Sequence, residues 1–203
     1  MSMTAPAPRH VFEVFTLGFL VQDGRVLLLE RRKPPNAGRW NAPGGKLEAG
    51  EDPIQGIVRE FAEETGLTLE DPTLRAVLCF HELDGAWRPQ MIYTFLARRA
   101  TGSLLASEEG RLAWWPVEQV LHDPRVVGNI PLFLPRMLAA GPPFVFIAAY
   151  RGERLEGYRV APLLAGSDDG RAGSSDGCAA SGAGRPASGD GKPAPGPGAP
   201  PHA

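Results

Sequence analysis

Hydrophobic and polar positions change rhythm along the chain and mark out its elements. Residues 12–32 hold two apolar runs, VFTLGFLVQ and RVLLLERR, separated by Asp23-Gly24. Asp-Gly between apolar runs is a strong two-residue turn signal and predicts a β-hairpin. Residues 33–40 (KPPNAGRW) read as a loop, and a glycine-rich loop follows over 43–50. The rhythm then becomes helical: Ile54, Ile57, Val58 and Phe61 recur on one stripe. Asp52 is placed to cap this helix, Pro53 suits its first position, and Gln55 completes a capping box. Gly66 stands where a left-handed residue ends a helix, so the pattern predicts a helix over 53–65. Strands are expected at 73–82 and 90–99, and another at 111–116 with a short helix after it. A helix is expected over 130–140. The segments 143–150 and 154–160, joined by Arg151-Gly152-Glu153, read as a closing hairpin.

The pattern stops at residue 165. The last 38 positions contain 10 Gly, 8 Ala, 6 Pro and 5 Ser, with no Val, Ile, Leu, Met, Phe, Trp or Tyr. Such a segment has no apolar surface to offset the entropy of ordering, so residues 166–203 are expected to be a disordered tail. Residues 1–10 are expected to be loose. One α/β domain over 11–165 remains, of ordinary domain size. Its hydrophobic fraction (43% over the chain) permits a core, and a formal net charge of −2 argues against nonspecific nucleic-acid binding. Cys79 and Cys178 are the two cysteines, one in an apolar stretch and one in the tail. They make neither a disulfide framework nor a cysteine zinc site. The start has no signal-peptide pattern, and the longest apolar runs, such as 144–149, are too short to span a bilayer. A cytoplasmic protein without membrane partners is expected, with monomer and homodimer both open.

The helix at 53–65 breaks local rules on its polar side. Glu60, Glu63 and Glu64 crowd one arc beside the apolar stripe. Like charges three and four apart repel by about 0.2–0.5 kcal/mol per pair. These three also lie near the helix C-terminus, where negative charge opposes the macrodipole. A divalent cation reverses that penalty, because clustered carboxylates are what Mg²⁺ or Mn²⁺ binds. The alternative is a solvated acidic face. The loop Pro43-Gly44-Gly45-Lys46, which leads into this helix, counts against that alternative.

These residues carry a resemblance. Gly45, five residues, Glu51, seven residues, then Arg59-Glu60-Phe61-Ala62-Glu63-Glu64-Thr65-Gly66-Leu67 resembles the Nudix box. The resemblance implies the Nudix fold, an α/β/α arrangement with a mixed sheet between helices. It also implies metal-dependent hydrolysis of a nucleoside diphosphate linked to another group. By the same resemblance Glu60 and Glu64 are metal ligands, Glu63 is a further ligand or the general base, and the Gly44 carbonyl is a backbone ligand. Glu109, or its neighbour Glu108, matches an additional metal-binding glutamate. Arg59 is expected to pair with a carboxylate such as Glu51.

The stretch from Val14 to Glu51 is similar to the MutT-like group, which includes 8-oxo-dGTP diphosphatases. Ala37-Gly38-Arg39-Trp40-Asn41 before Pro43-Gly44-Gly45-Lys46 is the closest match. The resemblance implies substrate contacts from Thr16, Arg31, Asn41, Gly45, Lys46 and Asn129. An amide such as Asn41 offers both donor and acceptor to a base edge, although a loop asparagine also makes turns. Trp114 and Trp115 are candidates to stack on a base, although alternation in a strand turns one of them inward as core. The expected activity is nucleotide-pool sanitation: oxidised purine deoxynucleoside triphosphates cleaved to monophosphate and pyrophosphate. Other nucleotide pyrophosphatases share the box, and so does a nucleotide-sensing regulator without chemistry. A scaffold acting through the tail is a third class.

Overall fold

Asp23 and Gly24 both adopt positive φ (47° and 71°), as a two-residue hairpin turn of this kind demands. They join β1 (Glu13–Gln22) to β2 (Arg25–Arg31), in register at Val21 with Val26 and Gln22 with Arg25. The computed structural model describes residues 11–105 and 108–163. The tail expected over 166–203 and the first ten residues therefore lie outside the described residues.

After two registered pairs the hairpin strands part. β1 runs parallel to β6 (Gln90–Ala97) from Glu13 to Leu20. Its other edge is filled by the glycine loop. Gly18 N–H donates to the Pro43 carbonyl (2.9 Å), Thr16 N–H to Gly45 (2.8 Å), and Leu47 N–H to Val14 (3.0 Å). Backbone groups that a splayed hairpin would leave bare are thereby paired. β2 pairs along its length with β8 (Gly110–Pro116) and near its end with β3 (Trp40–Asn41). β6 pairs with β5 (Thr73–Glu82), which runs parallel to β9 (Phe144–Arg151). β10 (Arg154–Pro162) closes the far edge of a mixed eight-stranded sheet.

Alternation sends side chains to two faces. Phe19, Val21, Val26 and Leu28 pack with Ile130, Phe133, Leu134 and Met137. Leu20 and Leu27 pack with Ile57 and Phe61. The sheet is therefore covered on one face by α1 (Pro53–Thr65) and on the other by α3 (Ile130–Leu138), with the short α2 (Val117–Val120) following β8. Each large apolar side chain removed from water contributes about 1.5–3 kcal/mol. No helix among the described residues is long and apolar enough to cross a membrane.

α1 begins and ends as its sequence predicts. The Asp52 carboxylate accepts from Ile54 N–H (2.8 Å) and Gln55 N–H (2.9 Å), while the Gln55 side chain accepts from Asp52 N–H (3.1 Å). Gly66 closes it in the left-handed conformation. Ile54 departs from the expected stripe, since it is 52% exposed one turn before the buried Ile57. Gly56, costly in a helix, is accounted for by close approach: a Cβ there would lie 2.6 Å from Leu47 of the glycine loop.

One part of the fold differs from the sequence pattern. The strand expected over 90–99 breaks at Arg98. Beyond it β7 (Arg99–Gly102) leaves the main sheet and pairs with β4 (Leu67–Glu70). Arg75 reaches across to the end of α3, donating to the carbonyls of Met137 (3.0 Å), Ala139 (2.5 Å) and Gly141 (2.7 Å). Helix-end carbonyls need such partners, and a guanidinium supplies several at once. Arg75→Met is expected to cost about 1–2 kcal/mol, read as a lower denaturation midpoint. An unchanged midpoint would show that the clamp is inert.

Candidate active site

The parting of β1 and β2 opens the cavity that the candidate residues line. Its volume is about 450 Å³. Thr16, Arg31, Asn41, Gly44, Gly45, Lys46, Glu60, Glu63, Glu64, Glu109 and Asn129 all border it. Arg59 and Glu108 are not among the lining residues.

The two loop glycines are required by different neighbours, Gly44 by β1 and Gly45 by α1. Gly44 has φ +143°, and a Cβ on it would lie 2.2 Å from the Thr16 carbonyl oxygen. No other residue fits without moving β1 or the loop. At Gly45 a Cβ would lie 2.3 Å from the Glu60 carboxylate. Backbone and carboxylates thus meet at van der Waals limits. Gly44 N–H donates to Glu64 Oε2 at 2.8 Å.

Arg59 locks this geometry from behind. It grips Glu51 with two bonds, Nε to Oε1 at 2.6 Å and Nη2 to Oε2 at 3.0 Å. Its Nη1 reaches Glu60 at 2.9 Å and Glu63 at 3.4 Å, and its Nη2 reaches the Lys46 carbonyl at 3.3 Å. Helix, loop and the acidic face of α1 are tied at one guanidinium. Bonds from Arg59 first, and from the Glu48 N–H second, hold the Glu51 carboxyl down at about 2. Glu51 in turn raises Arg59 above its usual range.

Glu60 and Glu64 are pushed the other way. Burial raises Glu60, opposed by Arg59 and reinforced by the charge of Glu63. Burial raises Glu64 to about 7, opposed by the Gly44 N–H and reinforced by Glu60. Glu64 is only 7% exposed. Because folded Glu64 binds its proton more tightly than the unfolded chain does, its share of stability is full below pH 4.5. That share is lost as pH rises through about 7. A carboxyl moved that far is worth about 3 kcal/mol. Metal-free protein in chelator should therefore lose stability between pH 4.5 and 7, and Glu64→Gln should flatten the profile. Equal slopes in both proteins would refute the buried-charge account.

Divalent cations suit this donor set. Among the described residues no three acidic, His or Cys side chains form a ready metal cage. Glu63 has a 61% exposed side chain and turns toward Arg59, and Glu109 is paired with Lys33 at 2.7 Å. Mg²⁺ does not need a cage. It keeps several waters and binds through one or two carboxylates plus substrate phosphates. Glu64 is buried and Glu60 half-buried beside it, and the charge of Glu60 helps to raise the Glu64 carboxyl, so the pair has the charge such a cation offsets.

The rest of the lining is of two kinds. Phe15, Leu17, Leu78, Phe80 and Ile92 make an apolar surface with Val127, and Gln90 adds a polar amide to it. They alternate on β1, β5 and β6 and meet in register, Leu78 opposite Ile92 and Phe80 opposite Gln90. Sequence reasoning missed them because period-two apolar positions look the same whether a helix or a ligand covers them. The polar remainder is partly engaged. Asn41 Oδ1 accepts the Ala42 N–H (2.9 Å), Arg31 Nε donates to the Pro35 carbonyl (2.9 Å), and Lys46 Nζ meets Glu13 at 3.2 Å. Thr16 is fully buried, and its hydroxyl has no partner among the described residues. A buried unpaired hydroxyl costs about 1–3 kcal/mol. Neither Trp114 nor Trp115 lines the cavity. Trp115 is core against Trp40, and Trp114 packs on the α1 face.

Comparison with known proteins agrees with this architecture. A family model described as the NUDIX domain matches residues 11–136. The uncharacterized Nudix hydrolase YvcI of Bacillus subtilis is 39% identical over 116 residues, covering 54% of this chain and 70% of that protein. The oxidized purine nucleoside triphosphate hydrolase of Danio rerio is 32% identical over 126 residues, covering 62% of this chain and 80% of that protein. The crystal structure of a MutT protein from Bacillus halodurans superposes with a TM-score of 0.66 at 31% identity. That match covers 73% of this chain and 97% of the other.

Proposed function

Since the chain belongs to the Nudix hydrolase family, we propose that it cleaves nucleoside triphosphates to nucleoside monophosphate and pyrophosphate. Its favoured substrates are oxidised purine deoxynucleotides such as 8-oxo-dGTP, and Mg²⁺ or Mn²⁺ is the cofactor. One observation carries this reading. The cavity joins the α1 glutamates and glycine loop to an apolar surface flanked by two asparagine amides, Asn41 and Asn129. The first set suits phosphates with a cation, and the second suits a planar base. The likeness to the oxidized purine nucleoside triphosphate hydrolase of Danio rerio supports the same substrate class.

Glu60, Glu64 and the Gly44 carbonyl would hold the cation. When bound, it neutralises phosphate oxygens and lowers the pKa of an attacking water. The chain's own groups do the rest. Arg59 holds Glu60 and the loop in place through Glu51 and the Lys46 carbonyl. A glutamate of α1 takes the proton of the attacking water; Glu63 is the most exposed of the three. Lys46 and Arg31 put positive charge at the cavity wall, and Thr16 offers its unpaired hydroxyl. Carbon-8 oxidation converts purine N7 from an acceptor into an N–H donor. A side-chain amide can register that change by presenting oxygen rather than N–H.

The test is kcat/KM with Mg²⁺ for 8-oxo-dGTP, dGTP, CTP, ADP-ribose and a diadenosine polyphosphate. We expect 8-oxo-dGTP to exceed dGTP by at least about tenfold, the scale of one well-placed hydrogen bond. Preference for ADP-ribose or a dinucleotide would overturn the substrate assignment and leave the family intact. Asn41→Ala should narrow the ratio of 8-oxo-dGTP to dGTP more than it lowers turnover. An unaltered ratio would remove Asn41 from base recognition.

A further inference from the structure

β9 and β10 lie beyond residues 11–136, the span that the family model matches. They still reach the cavity wall through one side chain. Asn129 borders the cavity, and its Nδ2 donates to the Tyr150 hydroxyl at 3.0 Å. Asn129 immediately precedes α3 but makes no side-chain cap to it, so its own helix does not orient its amide. Tyr150 also backs Phe80, another lining residue, in an edge-on contact with centroids 5.5 Å apart.

Tyr150 is itself held in place. The Trp87 ring packs on it at 5.8 Å, and Trp87 Nε1 donates to the Gly152 carbonyl at 3.1 Å. The Glu82 carboxylate joins the same corner, accepting N–H bonds from Ala86 (2.7 Å), Asp84 (2.9 Å) and Gly152 (2.9 Å). The β5–β6 and β9–β10 turns are thereby fastened together around the tyrosine.

We propose that Tyr150 is a positioning residue for base selection: its hydroxyl holds Asn129 Nδ2 and thereby fixes which way the amide presents donor and acceptor to the nucleobase. An asparagine amide is nearly symmetric in shape and opposite in hydrogen-bonding sense at its two ends. With one Nδ2 hydrogen committed to Tyr150, Oδ1 and the second hydrogen remain for a ligand. A fixed acceptor distinguishes an N7–H purine from an ordinary one; a freely rotating amide satisfies both. The β9–β10 hairpin is then part of the specificity apparatus. This inference rests on the assignment of a purine base to the cavity.

The experiment measures Kd for 8-oxo-dGMP and for dGMP by calorimetry on the full chain. The proteins are wild type, Tyr150→Phe, Asn129→Ala and the double variant. Monophosphates test base reading without requiring hydrolysis. Wild type should prefer 8-oxo-dGMP. Tyr150→Phe should cut that preference at least fivefold, by weakening 8-oxo-dGMP and not dGMP, with the thermal midpoint within a few degrees of wild type. In turnover the matching loss with 8-oxo-dGTP should fall on KM. Adding Tyr150→Phe to Asn129→Ala should change nothing further, because the two act as one unit. An unchanged preference in Tyr150→Phe, equal weakening of both nucleotides, additive losses, or a wild type without preference would each overturn the proposal. A wild type that prefers 8-oxo-dGMP yet hydrolyses no triphosphate would instead overturn the proposed reaction alone.

Discussion

Glu64→Gln should lower kcat by about two to three orders of magnitude while the protein stays folded. The change is nearly isosteric, and Gln Oε1 can still accept the Gly44 N–H that Glu64 accepts at 2.8 Å. What disappears is a negative charge next to Glu60 in a site that is mostly buried. Without a cation the variant should be at least as stable as wild type above pH 7, since it no longer keeps a charge in the interior. Divalent cation should stabilise wild type and barely affect the variant, by the linkage between binding and folding. Glu60→Gln should behave alike in turnover, with an added loosening of Arg59, which bonds Glu60 at 2.9 Å. Full turnover in both variants, measured as pyrophosphate released at saturating nucleotide, would remove these residues from the mechanism.

Gly44→Ala should damage both stability and turnover. The added Cβ would press on the Thr16 carbonyl oxygen at 2.2 Å and on Leu17 Cα at 2.9 Å, and φ at this position is +143°. Neither obstacle is a flexible side chain, so β1 or the loop must shift. Strain of this kind costs about 1–3 kcal/mol before any repacking. Moving the loop also breaks the Gly44–Glu64 bond and disturbs Thr16 and Gly45 on β1's edge. We expect a fall of several degrees in the denaturation midpoint and at least a tenfold loss in kcat/KM. Gly157→Ala is the control, because a Cβ there meets nothing within 4 Å. Equal effects at the two positions would contradict the steric account.

Much of this was legible in the sequence because local chemistry and tertiary role coincide. Asp52, Gln55 and Gly66 announce the ends of α1, and the cap geometry answers residue for residue. The acidic arc on that helix was conspicuous because it violated local preference, and Glu60 and Glu64 do sit half-buried or buried. The Asp23-Gly24 turn was equally clear, but not the parting of its strands two pairs later. That parting depends on Pro43 and Gly45 finding β1 from more than twenty residues away. β4 and β7 were hidden by their length of four residues each. Arg75, Phe80 and Tyr150 carried no signal, since an arginine in a strand or an aromatic at period two has no chemistry of its own until its neighbours are known. The likeness to MutT proteins pointed to Asn41 and Asn129, and the folded chain is what shows Tyr150 behind one of them.

The most direct measurement is a product analysis of 8-oxo-dGTP incubated with the full chain and Mg²⁺, separating pyrophosphate from orthophosphate. The account predicts 8-oxo-dGMP and pyrophosphate in equal amounts, abolished by chelator and by Glu64→Gln. Diphosphate with orthophosphate, or turnover that survives both treatments, would contradict it.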